Sequence, residues 1–363
     1  MKSKRLDTTQ GNSGVKMLKT YSQPIAEMVA VILDEVRASL PEVSPHGAWA
    51  LETLREYSLR DSKRVRGSLA AAMYDHVLGG TRDQVGLRLA AAIELIQNHL
   101  LIVDDVMDRS VLRRGQPTVH ELYKSTYRDD AHEANSIGVL VGMMAQLASM
   151  QAMTTLDTDA RRIVATMHIV QRHTLITDIG QIDDVQQAFG RTFTRDDLLR
   201  KYQQKSSYYS FVDPLLAALT LAGAGDGQAE IDCERYGLPA GVAFQLRDDY
   251  LGLFGDTSQT GKPNLDDICE GKHTLMVDFA LEHASAQERD VLAGVLGRAD
   301  ADEHDLARVQ DVITSSGAVA QADDMMRRMA DEAVAAARTA SSWDASFGNM
   351  LAELVLFAVT REK

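Results

Sequence analysis

Apolar residues recur along this chain at three- and four-residue spacing, the pattern of amphipathic helices, while the alternation expected of strands is almost absent. Ser22 is placed to cap a helix that starts near Pro24 and runs to about Leu40, where Pro41 stops it. A second stretch spans Val65 to Val77 and ends at Gly79 and Gly80. From about Asp83 to Asp108 the sequence reads as one long helix too apolar for a surface position. Further helices are predicted over Glu133–Thr155, Asp157–Gln187, Arg195–Ala222 and Gly227–Phe254, with shorter ones from Thr274 onward. No linker or low-complexity segment divides the chain. The expectation is an all-α fold: a flexible arm over residues 1–21, then one large helical bundle over residues 22–363 enclosing a substrate cavity.

Composition narrows the class. Of 363 residues, 45% are hydrophobic and 25% charged, which excludes a disordered chain. The net charge of −14 argues against general nucleic-acid binding, which needs a basic footprint. Cys233 and Cys269 are the only cysteines, too few for a disulfide framework or a four-cysteine zinc site, and they suit a reducing cytoplasm. The opening residues are basic without an apolar core, so no signal peptide is expected. Charge interrupts the apolar stretches before the roughly 20 residues of a membrane span, so none is expected either.

Chemistry is concentrated at two acidic helix ends. Asp104 and Asp108 are four residues apart and share a helix face, with Asp105 offset by about 100°. Negative charge is disfavoured at a helix C-terminus, and the preceding LLIV should be buried, so a merely solvated helix end is a poor explanation. Asp248 and Asp249 follow a second apolar helix. An oxygen-only ligand set suits magnesium rather than zinc, and two such ends facing each other across a cavity would hold ions that share phosphate oxygens of a substrate. Cations follow each cluster: Arg113 and Arg114 in a Gly- and Pro-containing loop, then Lys262 and Lys272. Lys63, Arg64, Arg66 and Lys205 lie elsewhere. Each alone reads as a surface salt bridge; together, in so acidic a chain, they read as phosphate-binding forks.

In order along the chain stand SKRVR at Ser62–Arg66, IELIQNHLLIVDDVMDRSVLRRGQPTVH at Ile93–His120, GQIDD at Gly180–Asp184, KSS at Lys205–Ser207, FQLRDD at Phe244–Asp249 and GKPNLDDICEGK at Gly261–Lys272. With these segments the chain resembles the trans-isoprenyl diphosphate synthases, the farnesyl and geranylgeranyl diphosphate synthase family, from about Ser22 onward. The resemblance implies that Asp104 and Asp108, with Asp105 supporting, ligate two magnesium ions and Asp248 a third, Asp249 and Asp184 belonging to the same metal set. Arg113, Lys205 and Lys262 would hold an allylic diphosphate. Lys63, Arg66, Arg114 and Gln97 would hold isopentenyl diphosphate, with Gln181 and Lys272 also at the substrates and Asp267 an acidic position of the last loop. Gln245, Ser206 and Lys205 would steady an allylic cation. A homodimer is implied in the same way.

Departures from the family pattern are specific. Gly252 replaces the usual third Asp of the second acidic motif, which predicts weaker metal binding at most. Met143 follows Gly142 where relatives usually carry Asp. Leu100 and His99, one helical turn before Asp104, are expected to set product length; neither is as bulky as Phe, which favours geranylgeranyl over farnesyl diphosphate. For His99 a core histidine with a satisfied hydrogen bond is an equal alternative. A class I terpene cyclase shares the first motif but needs no second diphosphate site, and a non-catalytic partner subunit would not need both arginines and Lys205.

Overall fold

The computed structural model describes residues 12–80, 82–188, 193–255 and 264–361. In chain order the helices are α1 (Ser13–Ser39), α2 (Pro45–Leu59), α3 (Val65–Val77), α4 (Gln84–Met107), α5 (Val119–Thr126), α6 (Ala131–Thr154), α7 (Ala160–Ala188), α8 (Arg195–Tyr202), a π-helix π1 (Gln203–Val212), α9 (Asp213–Ala222), α10 (Gly227–Phe254), α11 (Leu265–Cys269), α12 (Leu275–His283), α13 (Ala286–Val295), α14 (Glu303–Ser315), α15 (Ala318–Thr339) and α16 (Ala345–Thr360). The one ladder among the described residues pairs β1 (Leu112–Arg113) with β2 (Gln116–Pro117), antiparallel. The all-α expectation holds.

Buried apolar side chains from α1, α3, α4, α9, α10, α15 and α16 form one continuous core. α4 lies inside it, packed on α6, α3 and α1, while α10 packs on π1, α15 and α16. Small residues permit these approaches. A Cβ on Gly142 of α6 would reach within 2.7 Å of Val103 Cγ2 on α4, and one on Gly237 of α10 within 2.6 Å of Val212 Cγ2.

Three expectations need correction. Residues 13–21 are not a free arm: α1 begins at Ser13, capped by the Asn12 side chain, and Ser13 Oγ donates to Glu353 Oε2 of α16 at 2.6 Å. Met17, Leu18 and Tyr21 are buried there, and the helix runs on through Pro24 although proline removes one ladder bond. α2 carries little apolar periodicity and escapes the pattern, but Ser44 accepting from Gly47 N and Pro45 in the first turn are a readable start signal. The stretch from Arg195 to Ala222 is not one α-helix, because ten residues in its middle wind as π-helix.

By length and composition α4 and α6 both reach the size of a bilayer-crossing helix, contrary to the expectation from sequence. α4 is the core helix, with 78% of its apolar window buried, against 44% for α6. Leu140, Met143 and Leu147 of α6 and Leu175, Ile179 and Ile182 of α7 are exposed. Met143, the departure noted above, thus points outward.

Candidate active site

α4 delivers three carboxylates to one place. Asp105 is buried and accepts from Arg113 Nε at 2.7 Å, with Tyr57 Oη 3.4 Å away. Asp104 accepts from Arg113 Nη2 at 3.2 Å and from Lys205 Nζ at 3.3 Å. Asp108, the C-cap of α4, accepts from Lys272 Nζ at 3.2 Å. Burial pushes the Asp108 carboxyl up, Asp104 reinforces this, and Lys272 and Lys205 oppose it. Arg113 is positioned by the tight hairpin: Arg114 (φ 56°) and Gly115 (φ 72°) both take left-handed backbone between β1 and β2, as a two-residue turn of this kind requires.

The π-helix brings in the lysine. Gly180 of α7 faces it, and a Cβ there would lie 2.5 Å from Lys205 N, so glycine allows the two helices to close. Lys205 Nζ then reaches Asp184 Oδ2 at 2.5 Å as well as Asp104, and Lys201 Nζ reaches Asp184 Oδ1 at 2.8 Å. Although burial opposes it, the paired lysines hold the Asp184 carboxyl far below the usual carboxylate range, and Asp104 and Asp184 raise the Lys205 ammonium above its ordinary value. These groups stay charged. π-Helical turns are rare and frequent at functional sites.

Opposite stands α10. Ser206 Oγ donates to Gln245 Oε1 at 2.6 Å, Gln245 Nε2 donates to Asp249 Oδ1 at 2.9 Å, and Tyr202 Oη donates to Asp249 Oδ2. Asp249, expected among the metal ligands, has both oxygens committed within the protein; burial pushes its carboxyl up to about 7. Asp248 pairs with Arg361, whose guanidinium lies 4.0 Å over the Phe244 ring and whose carbonyl accepts from Arg247 Nε at 2.9 Å.

Asp104, Arg113, Asp184, Lys205, Gln245, Asp248 and Lys272 line one cavity of about 330 Å³, walled also by Leu101 and Leu251. The two acidic helix ends therefore face the same space. Asp104, Asp108 and Asp248 offer hard oxygen donors. Among the described residues no three His, Cys, Asp or Glu side chains gather closely enough to cage an ion unaided. That donor set fits magnesium, which binds through one or two carboxylates and completes its sphere with water and substrate phosphate.

The remaining predicted residues fall into groups. Burial pushes the Asp248 carboxyl up, opposed by Arg361, Arg66 and Lys63; Lys63 and Arg66 themselves stand outside the cavity lining. Arg66 Nη2 donates to Tyr209 Oη at 2.8 Å and Ser210 Oγ at 2.7 Å, while its Nε, like Gln97 Oε1, is buried without a hydrogen-bond partner. Arg64 is turned into the structure against Ser58 O and Glu94. Burial lowers the Arg114 guanidinium. Gln181 is placed against Met107 Sδ, off the cavity. His99 is buried with Nδ1 3.0 Å from Gly142 O, and neither it nor Leu100 lines the cavity, whereas Leu101 does. Lys262 lies outside the described residues. Sequence reasoning missed Tyr202, although it is one turn before Lys205 and Ser206, and missed Arg361, for which no signal exists 113 residues from its partner.

A profile of the polyprenyl synthetase family matches residues 48–313. The chain is 31% identical over 288 residues to the short chain isoprenyl diphosphate synthase of Methanothermobacter thermautotrophicus, covering 78% of this chain and 80% of that one. It is 27% identical over 318 residues to the geranylgeranyl diphosphate synthase of Saccharolobus solfataricus, covering 86% and 91%. The crystal structure of geranylgeranyl pyrophosphate synthase from Corynebacterium glutamicum, complexed with isoprenyl diphosphate and magnesium, superposes with a TM-score of 0.87 at 25% identity, over 98% of this chain and 100% of that one.

Proposed function

The chain belongs to the polyprenyl synthetase family and is a trans-prenyltransferase; from that premise we propose that it condenses isopentenyl diphosphate with an allylic diphosphate, head to tail, with geranylgeranyl diphosphate as main product. The observation that carries this reading is that Asp104 and Asp248, at the ends of two different helices, open onto one cavity with Arg113 and Lys205.

The allylic diphosphate lies against Lys205, Arg113 and Lys272, cations kept charged by their carboxylate partners. Magnesium ions held by Asp104, Asp108 and Asp248 would draw off the charge that builds on the departing diphosphate. Leu101 and Leu251 exclude water from the allylic cation, which water would otherwise quench to an alcohol. The Ser206–Gln245 pair turns its dipoles toward that cation, and Asp249 and Tyr202 fix the orientation of Gln245. Lys63, Arg66, Arg114 and Gln97 hold isopentenyl diphosphate; the unsatisfied Arg66 Nε and Gln97 Oε1 are polar atoms a ligand or its water would satisfy. Its double bond attacks the cation, a step dominated by proximity and orientation. The proton lost from the new chain goes to the released diphosphate.

The exposed apolar stripe of α6 and α7, Met143 included, supports a homodimer, and Leu147→Asp is expected to sediment as a monomer. Two unbridged cysteines support a cytoplasmic location. Purified protein given isopentenyl diphosphate, magnesium and, separately, dimethylallyl, geranyl or farnesyl diphosphate tests the reaction by chromatography of the products. A synthase consumes both diphosphates. Consumption of the allylic one alone identifies a cyclase, and no turnover identifies a subunit that needs a partner.

A further inference from the structure

The three cations of SKRVR do not face the same way. Lys63 and Arg66 both stand close enough to act on the Asp248 carboxyl. Arg64 turns from them into the core, with Nη2 donating to Ser58 O at 3.0 Å and Nη1 3.9 Å from Glu94 Oε2 on α4. The reversal takes place in left-handed backbone, φ 47° and ψ 47°, which a residue with a Cβ keeps only where its surroundings hold it there. Arg64 is also the N-cap of α3, yet its side chain caps nothing. Glu94 supplies the cap from α4: its Oε1 accepts from Gly67 N, the third amide of the helix, at 2.9 Å. Glycine at 67 lets α3 press this close, since a Cβ there would lie 2.9 Å from the backbone oxygen of Ala90.

We infer that Arg64 and Glu94 are positioning residues for the isopentenyl diphosphate site. Glu94 caps α3 and draws the Arg64 guanidinium inward; the left-handed turn fixed in this way presents Lys63 and Arg66, on either side of it, to the second diphosphate. The inference rests on Lys63 and Arg66 holding that diphosphate, as proposed above. The same pair reaches the other two members of the site. Gln97 follows Glu94 by three residues on α4 and shares its face. The charges of Glu94 and Arg64 both act on the Arg114 guanidinium, Glu94 raising it and Arg64 lowering it. Just before the turn, Arg60 Nη1 donates to Pro117 O at 2.9 Å, which ties this loop to the hairpin that carries Arg114. The Arg64 and Glu94 side chains are each only 4% exposed, so they act through the groups they place rather than by touching a ligand.

Steady-state kinetics of the whole protein in magnesium, with isopentenyl diphosphate and geranyl diphosphate varied in turn, test the pairing. Arg64→Gly removes the guanidinium and leaves a residue at ease at positive φ. It is expected to raise KM for isopentenyl diphosphate about tenfold or more, the worth of one hydrogen bond to a charged oxygen, and to leave KM for geranyl diphosphate within about threefold. Glu94→Gln keeps the shape and an oxygen for Gly67 N, and should raise the same constant by a similar factor. Because the two act as a unit, the double variant should lose no more than the larger single loss. A role in folding alone would lower the melting temperature and the active fraction, hence kcat, without separating the two KM values. Should a single variant fail to fold with one charge left buried, the double variant, which buries neither, still decides. Unchanged KM for isopentenyl diphosphate, an equal rise in both constants, or losses that multiply in the double variant each overturn the positioning role. Failure of the unaltered protein to consume isopentenyl diphosphate overturns instead the wider reading of the site.

Discussion

Lys272 Nζ stands 3.2 Å from Asp108 Oδ2, an ion pair that joins the segment after α11 to the C-cap of α4 across 164 residues. Burial raises the Asp108 carboxyl, and Lys272 is the first of the two cations that lower it. Removing the ammonium therefore lets the Asp108 pKa climb, and the ionised form is lost at a higher pH than before. Lys272→Ala is expected to reduce kcat/KM by about 10²-fold, as loss of a charge-stabilising donor does, and to move the acid limb of the pH profile upward. Lys272→Arg keeps the charge and should retain the limb. A pH–kcat/KM series on the three proteins checks both; an acid limb that stays put in Lys272→Ala refutes the coupling.

Gly180 makes a prediction of a different kind, because it touches no substrate. A Cβ there would meet Lys205 N at 2.5 Å and Gln204 Cβ at 2.9 Å. One added methyl group must push π1 from α7 and displace Lys205 from Asp104 and Asp184. Misplacement of a reacting group by about 1 Å costs on the order of 10² in rate, so Gly180→Ala should lose about that much kcat while remaining helical by circular dichroism. Activity within about threefold of the unaltered protein, the scatter expected of a neutral surface change, would show that π1 adjusts.

These two cases also mark what the sequence makes legible. Asp104 and Asp108 are readable because helical spacing puts them on one face of α4, and Asp248 because it follows a second apolar stretch, on α10; apolar residues beside all three require burial. Arg113 is readable because a Gly- and Pro-containing loop follows directly. The π-winding that aims Lys205 is not readable, since a run of helix formers gives the same periodicity whichever carbonyl each amide chooses. Nor is the contact between Arg361 and Asp248, which depends on where α16 ends relative to α10. Gly252 could be read only as a missing side chain, because the Asp267 side chain that lies beside it comes from another segment. The start of α1 was hidden because its early residues are polar outward and apolar only toward α16.

Asp249 governs a stability effect. Its folded pKa is raised to about 7, chiefly by burial, against the ordinary carboxylate value near 4. The native state thus holds this proton more tightly than the unfolded chain does. The associated stability is fully present below about pH 4 and is lost as pH rises through about 7. Asp249→Asn has no charge to bury, so the loss of stability between those limits should shrink by on the order of 2–4 kcal/mol. Thermal melts in chelator from pH 4 to 8 check this. Parallel melting curves for the two proteins would place the responsible group elsewhere.

On the proposed reaction, product length is expected to follow from which α4 side chain meets the growing prenyl tail. The sequence points to Leu100 and His99, but His99 is turned to Gly142 O on α6, and Leu100 packs with the core. Leu101 lines the cavity, three residues before Asp104 and seven before Asp108, on the same helix face. A tail whose diphosphate lies at those carboxylates runs past Leu101 first. Leu101→Phe is therefore expected to make the fifteen-carbon diphosphate the main product, whereas Leu100→Phe changes the distribution less. His99→Ala should lower stability by about 2 kcal/mol, as removal of a buried hydrogen-bonded side chain does, with little lengthening of the product. Chromatography of products from the three variants, each with geranyl diphosphate as primer, decides between the positions. If Leu100→Phe shortens the chain while Leu101→Phe does not, the tail runs along the face of α4 that points to α6, and the floor of the tunnel is where the sequence alone would put it.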